Sequence, residues 1–275
     1  MNNKIAQVAE EGVHFGDNSN ALWTFLATAA LICSGVTGYS QVASDQGANY
    51  TLGWTNGANG GTGFSPWTFN NTQGTGSAGA FIGNPAAGGI SGMATNSFGF
   101  FANPIGSGAN AEVSRNFSDA LASGQTFSFQ WGLNWDSDSA TSNRGFNLRS
   151  GGQQLFNINM GNSATITING NPMFTEFGTQ AFTLNFEQIS PTSMRVFGIG
   201  RNGSEAYDTT FTGLAGAADN FVFYFNATAA NVDDRQMYFD NLSIVPEPAT
   251  SSLLITGLAG LAYAARRRAR RRITG

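Results

Sequence analysis

His14 is the only histidine among the 275 residues, and Cys33 the only cysteine. Both lie in the first forty positions. From Gln41 onward the chain therefore cannot assemble a Ser-His-Asp set, a Cys-His pair, a histidine metal site or a disulfide. No glycine motif that cradles phosphate precedes a helical stretch. Carboxylate chemistry is what remains. Glu176 and Glu187, or Asp136 and Asp138, are the pairs that could hydrolyse a glycosidic bond, which needs two acids facing each other at about 5–10 Å. Their spacing selects neither pair over ordinary surface acids. Asp136-Ser-Asp138-Ser-Ala-Thr-Ser-Asn143 is an oxygen-rich run of the kind that holds calcium, a hard cation bound by carboxylates and carbonyls. It lacks the glycine and closing glutamate of an EF-hand, so Asp136, Asp138 and Asn143 can equally form a polar turn. Asp233, Asp234 and Asp240 form a second such group. Sugar binding uses exposed aromatic faces together with amides and carboxylates. Trp54 and Trp67 lie in a Gly- and Asn-rich region where they could be exposed. Trp131 and Trp135 share a strand face with Phe127 and Phe129, which makes them core residues.

The charge balance excludes one class of partner. Six of the 13 Lys+Arg residues crowd into the last ten positions, while Ser44 to Val245 carries six basic against thirteen acidic side chains, a net of −7. Nucleic-acid binding needs a basic face to displace counterions from phosphate, so this composition argues against it. Charged residues are only 11% of the chain, against about 25% in an average soluble protein. The polar surface must come from Asn, Ser, Thr, Gln and Gly, as in β-rich extracellular proteins.

The two ends read as addresses. Ala21 to Val36 is an uncharged apolar run too short for a comfortable span but suited to a signal-peptide core. Gly38-Tyr39-Ser40 before Gln41, or Val36-Thr37-Gly38, supplies the small-x-small pattern for signal peptidase. A short buried helix is the alternative. At the other end, Val245-Pro246-Glu247-Pro248 should stop the last strand, because proline cannot donate to a ladder. Ala249 to Ala265 is then free of charge and about 25 Å long as a helix. Arg266, Arg267, Arg268, Arg270, Arg271 and Arg272 follow. Each arginine costs about 2.5–3.5 kcal/mol at a helix centre on insertion scales, so six hold the terminus in the cytoplasm. A basic amphipathic surface helix is the alternative there, but the apolar residues surround the helix rather than form a stripe.

Pro-Glu-Pro, a short Gly/Leu/Ala-rich helix and a closing arginine run, in that order, resemble the PEP-CTERM sorting signal of Gram-negative bacteria. The resemblance implies that Pro246, Glu247 and Pro248 are the motif read by an exosortase, Ala249 to Ala265 a transient inner-membrane anchor, and Arg266 to Arg272 the stop-transfer cluster. It implies export, processing and a final place at the cell surface or in an exopolysaccharide-rich matrix. It covers about thirty residues and bears on no others.

Between these ends, roughly Asn49 to Val245, short alternating runs are punctuated by Gly, Asn, Ser and Asp. Phe127-Ser-Phe-Gln-Trp-Gly-Leu-Asn-Trp135 puts its aromatics on one strand face and its polar residues on the other. Similar runs occupy 145–148, 155–160, 164–168, 181–186, 194–199, 221–225 and 237–245. Turn signals separate them, at Ser150-Gly151-Gly152, Asn169-Gly170-Asn171-Pro172 and Asn202-Gly203. This pattern predicts an all-β antiparallel jelly-roll sandwich over 41–245, with a signal helix in 1–40 and a transmembrane helix in 246–275. Gly145-Phe-Asn-Leu, Leu155-Phe-Asn-Ile, Ile166-Thr-Ile-Asn-Gly and Tyr238-Phe-Asp-Asn-Leu242 resemble a concanavalin A or laminin-G type of lectin sandwich. The expected function is a non-catalytic, exported matrix protein that associates with extracellular polysaccharide, without a cofactor unless calcium binds. A carboxylate-dependent polysaccharide hydrolase on the same fold and a self-associating adhesin are the alternatives.

Overall fold

The computed structural model describes residues 42–51, 53–71, 76–105, 108–133, 142–161, 165–176, 178–227 and 236–246. The expected signal segment, Glu247, Pro248, the anchor and the arginine cluster lie outside them, as do Asp136, Asp138, Trp135, Asp233 and Asp234. Among the described residues, no helix is long and apolar enough to cross a membrane. Fifteen strands run in chain order: β1 (Ala43–Asp45), β2 (Thr68–Phe69), β3 (Ser77–Gly83), β4 (Ser97–Asn103), β5 (Ala109–Asn116), β6 (Gln125–Leu133), β7 (Ser142–Ser150), β8 (Gln153–Met160), β9 (Ile166–Ile168), β10 (Asn171–Phe174), β11 (Phe182–Ser190), β12 (Ser193–Ile199), β13 (Ala206–Thr212), β14 (Asn220–Ala227) and β15 (Met237–Pro246). The only helical pieces described are two short 3-10 turns, Gly47–Asn49 and Pro85–Gly88.

The strands form two antiparallel sheets. One runs β13-β12-β11-β6-β15-β4-β3, with β1 also on β15; the other runs β10-β9-β8-β7-β14-β5-β2. Alternation along each strand sends every second side chain inward, and the two inner faces make one core. It is an aromatic core. Phe223 of β14 stacks on Phe239 of β15 with ring centroids 3.8 Å apart, joining the sheets at their middle. Phe129 of β6 meets Phe146 of β7 at 4.6 Å. Each such ring contributes about 1.5–3 kcal/mol by leaving water. Hairpin chemistry fixes the register: Asn169 (φ 48°) and Gly170 (φ 80°) supply the two left-handed positions of a tight turn between β9 and β10.

One expectation fails here. Trp54 and Trp67 are not open to a ligand; they are 4% and 1% exposed. The strap that carries them folds back on itself, with Gly57 donating to the Trp67 carbonyl and Trp67 donating to the Ala58 carbonyl. Trp54 then packs 4.7 Å from Phe98 and 5.1 Å from Trp67. A Gly/Asn-rich composition suggested a loose segment, but its indoles are too large to leave in water when a core face lies beside them. Trp131 is fully buried, as its place on the Phe127 face requires.

Candidate functional site

The outer face of the seven-stranded sheet carries an uncharged polar network. Asn147 of β7 lies directly opposite Asn157 of β8, and Gly145 opposite Asn159. On the other side of β7, Tyr224 of β14 lies opposite Gly145. The Asn157 amide donates to Asn147 Oδ1 at 2.8 Å and to the Tyr224 hydroxyl at 2.7 Å. The Asn159 amide donates to the same hydroxyl at 2.8 Å. The tyrosine lies low across the sheet because residue 145 has no side chain: a Cβ there would land on the Tyr224 hydroxyl. Tyr224 and Asn147 are 8% and 9% exposed, so they form a floor. Asn159, Thr167, Asn110, Glu112 and Asn226 are half-buried around it, and Asn143 is exposed at the start of β7. Burial pushes the Tyr224 hydroxyl above its usual pKa, opposed by the two asparagine amides. It therefore keeps its proton at neutral pH, and because it already accepts twice, that proton is what it offers outward.

This arrangement suits a neutral, hydroxyl-rich ligand. Amides and a phenol both donate and accept, as sugar hydroxyls do, and one carboxylate, Glu112 opposite Tyr224, adds an acceptor at the margin. The alternation in Gly145-Phe-Asn-Leu and Leu155-Phe-Asn-Ile already aims Asn147 and Asn157 away from the core. What those runs could not supply was the register that joins them to each other and to Tyr224.

The carboxylates do different work. Glu187 accepts from Arg195 at 3.2 Å on the outer face of the eight-stranded sheet. Glu176 accepts from the Asn202 and Glu205 backbone amides, at 3.3 and 3.0 Å. Among the described residues Glu176 and Glu187 share no hydrogen-bond partner. Glu205, which the sequence did not single out, reciprocates by accepting from the Thr175 hydroxyl and amide and from the Glu176 amide. The Thr175 hydroxyl, with these amides, holds the Glu205 carboxyl below its usual range, so it is a poor general acid. These two glutamates latch the segment after β10 to the β12–β13 hairpin.

Two concavities lie elsewhere. One, of about 400 Å³, is lined by Ser44, Asp45, Gln46, Asn49 and Asn241–Ser243. Its Asp45 already accepts from five donors: the Gln46 amide, Asn49, Tyr50, Trp67 and Arg115. The other, of about 670 Å³, is lined by residues 116–120, Gly152, Asp219 and Asn220. Asp219 there is engaged by the Gly151 amide at 2.8 Å. Asp240, a candidate metal ligand by sequence, accepts from the Gly47 amide at 2.8 Å and the Ser97 hydroxyl at 3.3 Å, and burial raises its pKa. Asn143, the one residue of the Asp136–Asn143 candidate set among the described residues, lies at the start of β7 opposite Asn226.

No protein-family model matches the chain, and no curated protein matches it. Among solved structures the chain is similar to an alginate lyase from Corynebacterium sp. (12% identity, TM-score 0.38, covering 54% of this chain and 76% of that one). It is similar to the binding domain of botulinum neurotoxin serotype D/C VPI 5993 (12%, 0.42, 79% and 51%). A third is a carbohydrate esterase from the Shiga toxin-encoding bacteriophage phi24B (13%, 0.38, 66% and 90%). The chain spans about half the length of the neurotoxin binding domain.

Proposed function

We propose that this chain is an exported, non-catalytic protein that associates with extracellular polysaccharide through the outer face of its seven-stranded sheet. The sandwich is read as a jelly roll. The observation that carries the binding role is the hydrogen-bonded set Asn147, Asn157, Asn159 and Tyr224, four neutral side chains that both donate and accept. The one carboxylate beside it, Glu112 opposite Tyr224, would repel uronic acids and so favours neutral sugars. The non-catalytic part is supported by Glu176, Glu187 and Glu205, each committed to amides, a hydroxyl or an arginine. Signal peptidase would remove the leader, and an exosortase would read Pro246-Glu247-Pro248 at the inner membrane of a Gram-negative cell. Of that motif Pro246 closes β15, opposite Gln125 of β6. The mature protein would then reside at the surface or in the matrix.

Binding of the full chain to a polysaccharide array, with and without calcium, tests this reading. Saturable binding to neutral glycans is expected. Loss on chelation would add a calcium role for Asp136, Asp138 and Asn143. Failure to bind any glycan would overturn the binding role. Cleavage is tested separately, by co-expression with an exosortase: Glu247→Ala is expected to leave the tail attached, and unchanged processing would refute the sorting role.

A further inference from the structure

The four lateral edges of the two sheets are not equally protected. Unpaired strand edges invite pairing with another chain, and proteins blunt them by shortness, proline, bulges or cover. In the seven-stranded sheet, β2 has two residues, and β10 has four with Pro172 and a register shift. In the eight-stranded sheet, β3 lies against β5 of the opposite sheet. The remaining edge is β13, seven residues without proline, lysine or bulge, paired among the described residues on one side only, by β12. None of its residues is buried. Its two inward rings are half-covered: Phe211 is 4.9 Å from Phe156, and Tyr207 is 6.3 Å from Phe174.

We propose that β13 is a self-pairing edge, and that its occupant is β13 of a second copy of this chain, antiparallel about a twofold axis through Thr209. Thr209 is the midpoint of β13, so this is the register in which the whole strand pairs with its copy. Centred on Thr209, Tyr207 of each copy lies opposite Phe211 of the other on the inward face, an aromatic cross-strand pair made twice. Asp208, the one charge on the strand, lies opposite Thr210. Centring on residue 208 would instead set the two Asp208 carboxylates against each other. A twofold contact of this kind closes at two copies, because the same edge is used by both. It joins two eight-stranded sheets into one continuous sheet, and leaves the Asn157 face of each copy on the other layer. The inference does not depend on the glycan reading.

Sedimentation velocity of the full chain in detergent, over a concentration series, tests it through a change of sign. In the single copy Thr210 is exposed and lies directly opposite Arg195 of β12. There Thr210→Asp gains an attraction and Thr210→Lys a repulsion. Across the twofold the signs invert: Thr210→Asp faces Asp208 twice, and Thr210→Lys faces it favourably twice. The wild type is expected to show a monomer–dimer equilibrium. Thr210→Asp should weaken the dimer about tenfold, from two like-charge pairs, and Thr210→Lys should tighten it. Melting at low concentration should move the opposite way for each. Sedimentation as a single copy throughout, species larger than a dimer, or two variants that leave association unchanged or shift it in one direction would each overturn the proposal. Association driven by the apolar tail gives the unchanged outcome and so counts against it.

Discussion

The molecule contains two polar networks centred on a tyrosine hydroxyl, and they differ in what surrounds the hydroxyl. Tyr50 donates to Asp45 at 2.6 Å and accepts from the Trp67 indole at 2.8 Å, while Arg115 closes on Asp45 with both side chains at 0% exposure. Asp45 belongs to β1, on the eight-stranded sheet, and Arg115 to β5 of the other, so this network ties the two layers together. Tyr224 instead sits on an outer face, and its hydroxyl accepts from two neutral amides. A charged network is justified where every oxygen and proton can be satisfied internally, because an unmatched buried charge costs several kcal/mol. A neutral one can be left incomplete, with lone pairs and protons facing outward for a ligand. On the proposed reading, the first holds the fold and the second meets the ligand.

The largest effect should come from breaking the charged network. Asp45→Ala strands Arg115 in the interior and is expected to cost about 3–5 kcal/mol in denaturant unfolding. A loss under 1 kcal/mol would show that the clamp does not join the layers. Next in size is Tyr50→Phe, at about 1–3 kcal/mol, because it removes one donor to Asp45 and leaves the Gly60 amide without its acceptor. It also has a pH signature. Burial first, and then Asp45, push the Tyr50 hydroxyl from 10.0 up to about 12. A raised folded value means that this group's stabilisation is complete below pH 10 and is lost as pH rises through about 12. Alkaline unfolding should therefore be shallower over that window in Tyr50→Phe; identical slopes would remove the hydroxyl from the clamp.

On the outer face the order of effects reverses at Asn157, where binding should fall more than stability. Asn157→Ala should weaken glycan binding several-fold with a stability change of about 1 kcal/mol or less, and Gly145→Ala, whose Cβ meets both the Tyr224 hydroxyl and the Ile158 carbonyl, should weaken binding about tenfold and cost stability as well. Titration calorimetry against the glycan found on the array would check both. Equal affinity in all three proteins would dissolve the distinction between the networks. The smallest effect belongs to the opposite outer face. There Arg195 holds Asp208 at 2.7 and 2.8 Å and lies over Phe197. Its hydrogen bonds keep the Asp208 carboxyl below the usual range, so this ladder weakens only as pH falls through that lowered value. Arg195→Ala should leave glycan affinity unchanged, and a loss as large as that of Asn157→Ala would move the binding surface to the other sheet.

Much of this was legible from alternation alone. The runs at 145–148, 155–160, 221–225 and 237–245 fall inside β7, β8, β14 and β15. Asn147 and Asn157 point outward because they alternate with buried neighbours. Pairing was not legible, because β7 and β14 are 70 residues apart and nothing local specifies that Tyr224 lies opposite Gly145. The strand Ala206–Thr212 was missed because Asp, Thr and Tyr on an edge bury little on either side and so leave no apolar period. Trp54 and Trp67 were misread for the converse reason: their neighbours are loop formers, and only the tertiary contact with Phe98 and Phe239 puts them inside.

The central claim is that the Asn157–Tyr224 face is where polysaccharide meets the protein. Side-chain amide resonances of the full chain, recorded as glycan is added, address it directly. The account predicts saturable shifts at Asn147, Asn157 and Asn159, with Asn185 on the other sheet unmoved. Shifts at Asn185 with the first three still would contradict it.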